Sequence, residues 1–529
     1  MKPETPQPNK VRIGSRGSEL ALWQAEFIQK KLKDIGVEAE IQIIKTQGDK
    51  IQDLSLDKLE GKGFFTKEIE EALLAGEIDL AVHSHKDLPT ESPAGLLIAA
   101  VSYREDPSEL ILVNKDAVDE KQKYGFKKKA IVGTSSARRK SQLLAFRDDI
   151  VITDLRGNVP TRIQKLRDKR YDAIMLAAAG VERLGIDLSE FYCEKINPKE
   201  FVPAPAQGVL ALQIRSDDKK LTSLLQKLDE PEVAQTIAVE RKILNLFAGG
   251  CQLPLGAYCE KHEEESGETM FKVWVSKAAS WNKFPLQLYL ESRKSETLAE
   301  KVVSKLNAIQ PASVFITRDA KKYDYFQKAL TAHGFTVEAR SLIEIKQIPL
   351  RKFPKTDWVF FSSKNSVRHF FEQKPVLEEI KFAAVGKSTS EELRRFGKKA
   401  EFIGYSTDTT LTAKQFASVV GSRTVLFPQA KDSMKTIQLQ FKKPGQAINL
   451  IVYETIKHNI ADLPAAEILV FTSPSNVDAY CEQHKISPAQ RVVAMGDATA
   501  NALRLKGIKA NAMPPSFDDL GLVQAVMSV

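Results

Sequence analysis

Val11-Arg12-Ile13-Gly14-Ser15, a short apolar strand, leads at Ser18-Glu19 into an amphipathic helix. The apolar residues of that helix recur every three or four positions, at Leu22, Ala25, Ile28 and Leu32. Further strands are predicted at 40–45, 80–84, 131–135, 151–155 and 171–176. Because short apolar strands between helices are buried by those helices, this part of the chain predicts α/β lobes with largely parallel or mixed sheets.

A small α+β domain is predicted over residues 223–308. A helix at 233–247 leads into the turn Gly249-Gly250-Cys251-Gln252-Leu253-Pro254-Leu255-Gly256. Alternating strands follow at 271–275 and 286–290, and a second helix begins at Glu296. The polar stretch that ends at Gln310-Pro311 is the best linker to the second half of the chain.

The second half contains an internal repeat with an offset of 110 residues (471 − 361 = 110). Phe361-Ser362-Ser363 recurs as Phe471-Thr472-Ser473, and Ala384-Val385-Gly386 recurs as Ala494-Met495-Gly496. The residue pattern of each copy predicts a strand, a Ser/Thr turn, a helix, a second strand, a Gly turn and a second helix, in that order. The repeat predicts two similar open α/β lobes, and ligands of such sheets bind at the carboxyl ends of strands. We therefore expect the two Ser/Thr turns to face a common cleft.

Composition excludes several classes of protein. The chain has 529 residues, too many for one core, and its hydrophobic content of 43% is ordinary for globular domains. Residues 1–310 carry 47 basic and 47 acidic side chains, so the net charge of +9 arises entirely after them. No nucleic-acid-binding module, membrane-length apolar run or secretory signal is visible. With four cysteines and no CxxC pair, we expect a reduced, cytoplasmic setting without nucleic-acid or membrane partners.

One candidate site follows the strand at 80–84, in His83-Ser84-His85-Lys86-Asp87-Leu88-Pro89. Asp87 could be a buried cap or an ion-pair partner of Lys86. Its place at a strand end favours a site carboxylate, which can stabilise a cation developing on a ring nitrogen. The two histidines have no partners at ligand spacing, so we predict no metal site and expect them in the core or behind the site.

Two basic turns lie at the ends of later strands, in Gly133-Thr134-Ser135-Ser136-Ala137-Arg138-Arg139 and in Leu155-Arg156-Gly157-Asn158-Val159-Pro160-Thr161-Arg162. Helix N-termini favour anions, and guanidinium groups bind carboxylates in bidentate fashion. A solvated helix face is the alternative for a single Arg-Arg pair. Because such an arginine-bearing turn occurs twice in a segment of balanced charge, the pattern favours a site for a ligand with several carboxylates.

Cys251 and Lys62 lie on two glycine-flanked segments. A free cysteine is by default a small buried hydrophobe, but the Gly-Gly turn favours an accessible thiol and therefore covalent attachment. Gly61-Lys62-Gly63 opens a basic loop that could be a lid or an ordinary turn.

These residues together resemble the hydroxymethylbilane synthase (porphobilinogen deaminase) family over about residues 1–305. The matching stretches are 12–24, 61–70, 83–89, 133–139, 155–162, 178–185 and 249–256. Residues from about 311 to 529 resemble uroporphyrinogen-III synthase, on Ile316-Thr317-Arg318, the two Phe-Ser/Thr-Ser turns, Ala494-Met495-Gly496 and Val452-Tyr453-Glu454-Thr455. The two activities are consecutive steps of tetrapyrrole (haem, porphyrin) synthesis, so the chain resembles a fusion of a transferase and a lyase.

The resemblance implies an α/β multidomain fold. The N-terminal half would have two periplasmic-binding-protein-like lobes, 1–106 with 204–222 and 107–203, and the small domain 223–308 that carries Cys251. The C-terminal half would have two flavodoxin-like parallel lobes interleaved in sequence, 311–347 with 457–529 and 350–453.

The resemblance also implies roles for the deaminase residues. Cys251 would hold a dipyrromethane cofactor through a thioether, and Asp87 would steady the azafulvenium cation formed when porphobilinogen loses ammonia. Four additions would build hydroxymethylbilane. The implied cofactor-binding residues are Lys86, Ser135, Ser136, Arg138, Arg139, Arg156, Gly157 and Gln207, and the implied substrate-binding residues are Arg16, Ser18, Lys62, Arg162 and Arg183. Two positions depart from the family: Ala206 replaces a usual glycine, and Gln213 stands where an acid is common.

For the synthase half, the resemblance implies ring closure of the bilane with inversion of its D ring, giving uroporphyrinogen III. Ser363, Thr389 and Thr499 are candidate substrate-binding residues, and Tyr453 is a candidate proton donor or an ordinary buried tyrosine. Two alternatives stay open: a deaminase with an inactive synthase-like half, and a non-catalytic two-lobed carrier of small anions. We expect a monomer.

Overall fold

The computed structural model of the chain describes residues 10–46, 66–248, 253–264, 266–320, 324–350, 352–377, 379–404, 409–433, 435, 437–460 and 462–529. The chain divides into two compact units. Unit 1 is Met1–Val314, Lys321–Val337 and Asn511–Val529, and unit 2 is Phe315–Ala320 and Glu338–Ala510. Within the described ranges, no helix has both the length and the apolar character needed to cross a membrane.

The following strands, in chain order, form the sheets of both units. They are β1 (Val11–Ser15), β2 (Ala39–Ile43), β3 (Leu80–Ser84), β4 (Leu96–Val101), β5 (Glu109–Asn114), β6 (Ile131–Gly133), β7 (Val151–Thr153), β8 (Ala173–Ala177), β9 (Phe191–Ile196), β10 (Leu210–Arg215), β11 (Leu255–Glu263), β12 (Thr269–Lys277), β13 (Leu286–Ser292), β14 (Ser313–Ile316), β15 (Thr336–Ala339), β16 (Ile343–Gln347), β17 (Trp358–Phe361), β18 (Lys381–Ala384), β19 (Ala400–Ile403), β20 (Val425–Ala430), β21 (Ala447–Lys457), β22 (Ile468–Phe471) and β23 (Arg491–Ala494).

Helices alternate with these strands. They are α1 (Glu19–Asp34), α2 (Lys67–Leu74), α3 (Ala137–Phe146), α4 (Val159–Arg167), α5 (Ala178–Leu184), α6 (Lys219–Leu225), α7 (Pro231–Leu246), α8 (Leu298–Ala308), α9 (Tyr325–Ala332), α10 (Lys364–Phe371), α11 (Lys387–Arg395), α12 (Thr409–Val420), α13 (Pro474–Cys481), α14 (Asp497–Leu505) and α15 (Asp519–Met527). Short 3-10 turns occur at His85–Asp87, Lys115–Ala117, Lys123–Gly125 and Gln438–Gln440.

Two five-stranded sheets of unit 1 share one arrangement. Their orders are β2-β1-β3-β10-β4 and β7-β6-β8-β5-β9. In each sheet the first three strands are parallel and the fourth runs antiparallel to both of its neighbours. The predicted mixed α/β class is confirmed. Helix α1 buries the predicted residues Ala25, Ile28 and Leu32 in the same core cluster as Ile13.

Strands β1 and β3 have the predicted bounds, whereas β6 and β7 end two residues earlier than predicted. The difference at β6 has a local cause, because the chain turns at Thr134–Ser136 to begin α3, which Ser136 caps by accepting from the amide of Arg139. The early strand ends place the basic turns outside the sheet, where their polar groups can bind a ligand.

The small domain contains a three-stranded antiparallel sheet in the order β11-β12-β13. The predicted helix 233–247 is observed as α7, which begins two residues earlier with Pro231 in its first turn. The helix predicted from Glu296 begins at Leu298. Gly256, at the start of β11, lies so close to the carbonyl of Val202 that a Cβ would stand 2.4 Å from that oxygen. Glycine is therefore required where this sheet meets residues 203–208. This crossing segment leads from β9 in one five-stranded sheet to β10 in the other.

Unit 2 contains a six-stranded sheet in the order β16-β21-β20-β17-β18-β19, parallel except for β16, which is antiparallel to β21. A four-stranded sheet has the order β15-β14-β22-β23, with β22 parallel to β23. Strands β14 and β15 contain points at which the chain passes from one unit to the other.

The repeat predicted in the second half is confirmed element by element. Strands β17 and β18 recur 110 residues later as β22 and β23, and helices α10 and α11 recur as α13 and α14. Ser363 and Ser473 are the N-caps of equivalent helices with nearly the same backbone angles, φ −159° and −160°. The repeated Ser/Thr turn is therefore a repeated helix cap.

Candidate functional site

Asp87 lies on the 3-10 turn His85–Asp87 that follows β3. Its side chain is exposed, and the described residues provide it with no hydrogen bond. Its neighbour Lys86 is half-buried and donates to Gln207 Oε1 at 3.1 Å. The turn thus presents a carboxylate to solvent and directs the adjacent ammonium inward.

Glu109 holds the guanidinium groups of Arg138 and Arg139. It is the first residue of β5 and is fully buried. Its Oε1 accepts from Arg138 Nη2 at 2.6 Å, and its Oε2 accepts from Arg139 Nε at 2.9 Å and lies 2.6 Å from Arg139 Nη2. Burial opposes ionisation, but Arg139, Arg138 and Lys86 outweigh it and lower the pKa of Glu109 to about 2. One carboxylate therefore orients two arginines.

Gln207 connects this ion cluster to Lys86. The side chain is fully buried and donates to Pro107 O at 2.8 Å and to Glu109 Oε1 at 3.3 Å, while its oxygen accepts from Lys86. Burial lowers the pKa of Lys86 to about 8. The crossing segment thereby joins the Asp87 turn to the strand that holds the arginines.

The second basic turn is fixed by serine and glycine. Ser135 Oγ donates to Leu155 O and accepts from Leu155 N, both at 3.0 Å. Gly157 has φ +109°, where a Cβ would meet Thr161 at 2.7 Å, and its carbonyl accepts from Arg162 Nε at 2.7 Å. These contacts hold the two predicted turns side by side.

Arg156 and Arg162 add positive charge to the second basic turn, and Arg162 is within electrostatic range of Asp87. Burial, followed by the charges of Arg139 and Arg156, lowers the pKa of Arg162 to about 10, and Asp87 opposes this shift. The Nε and Nη2 atoms of Arg156 are buried and have no partner among the described residues. Three groups predicted for the site, Arg139, Arg156 and Asp87, thus lie within electrostatic range of Arg162.

Arg183 occupies a separate position near the first helix. Its Nη2 donates to Gly208 O at 2.6 Å, its guanidinium lies 5.7 Å from the ring centroid of Trp23, and its buried Nε lacks a partner among the described residues. Ser18 caps α1, accepting from Ala21 N at 3.4 Å, and Arg16 is half-buried in the preceding loop. Two predicted residues, Cys251 and Lys62, lie outside the described residues.

The histidines lie behind the site, as predicted. His83 Nε2 is 3.0 Å from Gln213 Oε1, and Gln213 Nε2 donates to Glu70 Oε1 at 3.1 Å. Burial lowers the pKa of both His83 and His85 to about 4, so both are neutral near pH 7. Gln213, which replaces an expected acid, thus serves a buried chain of hydrogen bonds.

In unit 2, Tyr453 and Ser363 meet. Their hydroxyl oxygens are 3.4 Å apart, Tyr453 is 8% exposed, and its ring centroid is 5.4 Å from that of His369. Thr389 and Thr499 are both buried in the helices that follow β18 and β23. The hydrogen bonds found among the described residues do not join either threonine to the Ser363–Tyr453 pair.

Two family models match the chain. Residues 11–223 match "Porphobilinogen deaminase, dipyromethane cofactor binding domain", and residues 324–524 match "Uroporphyrinogen-III synthase HemD". The porphobilinogen deaminase of Oceanobacillus iheyensis is 45% identical over 251 residues, which are 47% of this chain and 80% of that protein. The deaminase of Bacillus subtilis is 44% identical over 250 residues, 47% of this chain and 78% of that protein. The chain belongs to the porphobilinogen deaminase family.

A solved structure of uroporphyrinogen-III synthetase from Helicobacter pylori is also similar, with TM-score 0.33 and 18% identity over 41% of this chain and 99% of that one. The deaminase and HemD matches confirm the predicted fusion. The chain is a bifunctional enzyme of haem biosynthesis, with porphobilinogen deaminase and uroporphyrinogen-III synthase activities, and porphobilinogen and hydroxymethylbilane are the substrates that fit these families.

The matched deaminase domain binds dipyrromethane, which confirms the predicted cofactor. The residues present fit a group that bears several carboxylates. The buried guanidinium atoms of Arg156 and Arg183 that lack partners are donors of the kind that bind carboxylates in a planar fork. Arg138 and Arg139 already share Glu109, so they are oriented before any ligand arrives.

Sequence reasoning missed Glu109. The residue stands in Glu105-Asp106-Pro107-Ser108-Glu109, where three acids in five positions are typical of a solvated loop. The available signal was its place directly before the apolar run Leu110–Val113, since a charge at the mouth of a buried strand requires a partner. The two arginines that the sequence did single out are that partner.

Proposed function

We propose that Asp87 and the guanidinium groups around it form the deaminase site, with Cys251 as the attachment point of the cofactor. The observation that carries this proposal is the exposed carboxylate of Asp87 within range of Arg162, whose own pKa responds to Arg139, Arg156 and Asp87. A ligand with several carboxylates and a developing positive charge is complementary to this arrangement.

In this proposal, Arg138, Arg139 and Arg156 bind carboxylates of the growing chain, and Arg16, Ser18, Arg162, Arg183 and Lys62 bind those of incoming porphobilinogen. Bound dipyrromethane would supply the free pyrrole α-carbon that is joined to the first porphobilinogen unit. Asp87 accepts the pyrrole N–H and stabilises the cation that porphobilinogen becomes when ammonia leaves. Lys86, Ser135, Ser136, Gly157 and Gln207 also bind the cofactor, and their hydrogen bonds keep the turns in place.

For the synthase half, we propose that Ser363, Thr389 and Thr499 bind the bilane and that Tyr453 donates a proton during ring closure with D-ring inversion. Support comes from the paired hydroxyls of Ser363 and Tyr453 at a helix N-terminus. Holding a flexible substrate in a curled shape supplies much of the rate enhancement in such a reaction.

We also propose the finer organisation of the chain: deaminase lobes 1–106 with 204–222 and 107–203, the cysteine domain 223–308, and synthase lobes 311–347 with 457–529 and 350–453. The matching strand orders of the first two sheets support paired periplasmic-binding-protein-like lobes. The 110-residue repeat supports paired flavodoxin-like lobes. We further propose that the protein is a monomer and that it acts in the cytoplasm.

Intact-protein mass tests the deaminase assignment. We expect the purified chain to carry two linked pyrrole units that colour with an aldehyde reagent, and Cys251→Ser to lack both the mass and the colour. Cys193→Ser is the matched control, because Cys193 is exposed and lies outside the predicted site. A wild-type chain of bare sequence mass after incubation with porphobilinogen would exclude the assignment.

The isomer of the product tests the synthase assignment. We expect type III uroporphyrinogen from porphobilinogen alone, and the type III fraction should fall in Tyr453→Phe while porphobilinogen consumption stays unchanged. Formation of the type I isomer alone by the wild-type chain would identify the C-terminal half as inactive.

A further inference from the structure

Arg241 binds the backbone of the Asp87 turn from the small domain. The residue lies on α7. Its Nη1 donates to His85 O at 3.3 Å and to Leu88 O at 2.9 Å, and its Nη2 donates to Pro89 O. The three acceptors flank Lys86 and Asp87 on both sides, so one guanidinium group closes the turn that carries the candidate carboxylate.

Packing provides only part of the support for this turn, in which His85 and Leu88 are buried. A cavity of about 220 Å³ lies behind the turn, and its lining includes His85, Leu88, Pro89, Ile98 and Ala238. His85 is 7% exposed, yet its Nδ1 has no hydrogen-bond partner among the described residues. A turn backed by a cavity lacks the dispersion contacts that fix a packed segment. Hydrogen bonds therefore hold the turn on two sides. His85 N donates to Val209 O at 2.9 Å and Lys86 donates to Gln207, whereas Arg241 binds the carbonyls on the side of the small domain.

The carboxylate of Asp87 is oriented through the backbone of its turn. Its exposed side chain receives no hydrogen bond from the described residues, whereas Arg138 and Arg139 are held by Glu109 and by backbone carbonyls. The direction of its carboxylate thus follows the backbone of the turn. A shift of this turn would move the carboxylate relative to the arginines, which belong to a different sheet.

We propose that Arg241 is a positioning residue for the deaminase reaction, fixing Asp87 relative to the substrate cation by binding the carbonyls of its turn. The inference rests on the proposed role of Asp87. It adds that α7, the helix after which Cys251 follows in the chain, also holds the turn of the catalytic carboxylate. A planar fork is required, because a lysine ammonium cannot reach all three carbonyls together.

The test compares Arg241→Gln, Arg241→Lys and the control Lys242→Gln in the full-length chain. Lys242 is the exposed neighbour on the same helix and pairs with Glu300, away from the turn. Intact mass measures cofactor attachment, and steady-state kinetics measures kcat and KM for porphobilinogen. We expect Arg241→Gln to keep both pyrrole units but to lower kcat by about tenfold to a hundredfold, the effect of misplacing a catalytic group. KM should change by less than about twofold, since the arginines are untouched.

Arg241→Lys separates geometry from charge. It keeps the positive charge but loses donors, so we expect kcat to fall about fivefold with unchanged thermal stability. A lysine variant with wild-type kcat would overturn the proposal, because charge alone would then suffice. An Arg241→Gln variant with wild-type kcat would also overturn the proposal. Parallel losses of cofactor, kcat and melting temperature in both variants would overturn it too, because they would indicate a structural role for Arg241. If the wild-type chain attaches no pyrroles, the proposed function fails instead.

Discussion

The proposed deaminase site of unit 1 and the hydroxyl-bearing turns of unit 2 differ in the kind of polar group that they present. In unit 1, buried charges are cross-linked: Glu109 is fully buried, and the side chains of Arg138 and Arg139 are only 7% and 9% exposed. In unit 2, the repeated turns present neutral hydroxyls that cap helices, such as Ser363 and Ser473. The first arrangement binds fixed charges in fixed places, whereas the second offers short hydrogen-bonding groups without strong charge.

This difference matches the two reactions. The deaminase must hold carboxylates while a positive charge develops, which requires opposite charges that do not move. The synthase must close a ring on a flexible chain, for which shape and a proton donor suffice. The contrast also predicts which substitutions will be costly, since a buried charge without its partner costs far more than a lost hydroxyl.

Glu109→Gln should have the largest effect. It leaves two buried guanidinium groups without a counter-charge, which costs about 3 kcal/mol of stability around β5. Glu392→Gln is the matched variant in unit 2. Glu392 also bridges two arginines, but the side chains of Arg368 and Arg395 are 44% and 72% exposed. Because water screens those charges, the loss should stay below about 1 kcal/mol.

Hydrogen exchange detected by mass spectrometry measures both losses locally, in peptides covering β5 and peptides covering α10 and α11. Glu109→Gln should also reduce attachment of the cofactor, because the arginines lose their orientation. Equal losses of protection in the two variants would contradict the contrast between the regions.

Tyr453→Phe should have the next effect, on the synthase alone. Removal of the proposed proton donor should lower the synthase rate by about a hundredfold. Ser363→Ala removes the neighbouring hydroxyl, 3.4 Å away, and should cost about fivefold because only one hydrogen bond is lost. Initial rates with supplied hydroxymethylbilane, separated by product isomer, measure both. A Tyr453→Phe rate within about fivefold of wild type would identify Tyr453 as a structural tyrosine.

Sequence patterns predicted the elements that recur. The 3.6-residue period of α1 and the 110-residue offset both report local structure that repeats along the chain, and each is confirmed. The class of ligand was also predicted from sequence, because two arginine-bearing turns at strand ends favour a ligand with several carboxylates. These features depend on neighbours in the chain, which a sequence displays directly.

The residues that position the site could not be predicted in the same way. Glu109 meets Arg138 and Arg139, and Arg241 meets the Asp87 turn, only after several elements have packed together. Each of the two residues is one of many charges in an ordinary surface-like context. Contacts between residues so distant in the chain leave no periodicity, so the structure was needed to find them.

The proposed site of unit 1 relies on charged groups. The charge of Lys86 changes with pH, so the reaction of unit 1 should depend on pH in a way that the synthase reaction does not. Burial lowers the pKa of Lys86 to about 8. Its ammonium is charged below that pH and neutral above it, so attraction for carboxylates is present at lower pH and lost as pH rises. In protein made without porphobilinogen, the rate of cofactor assembly should fall about tenfold per pH unit above 8.

Lys86→Arg should remove that alkaline decline, because arginine stays charged throughout. The synthase reaction, measured with supplied bilane, is the internal control and should lack a decline near pH 8. A decline that persists unchanged in Lys86→Arg would assign it to another group.

Ala206→Gly should have the smallest effect, a gain in stability. Ala206 has φ +61° in the buried crossing segment, and its amide is held by Glu240 Oε2 at 2.7 Å. The left-handed conformation costs an alanine roughly 1 kcal/mol that glycine avoids, partly offset by the greater entropy of glycine in the unfolded chain. The net gain should be about 0.5 kcal/mol. Lys374→Gly in unit 2, at φ +51° and exposed, relieves the same strain outside any site and should gain as much. Thermal unfolding measures both, and a loss in Ala206→Gly beside a gain in Lys374→Gly would show that the methyl group of Ala206 contributes packing that outweighs its backbone strain.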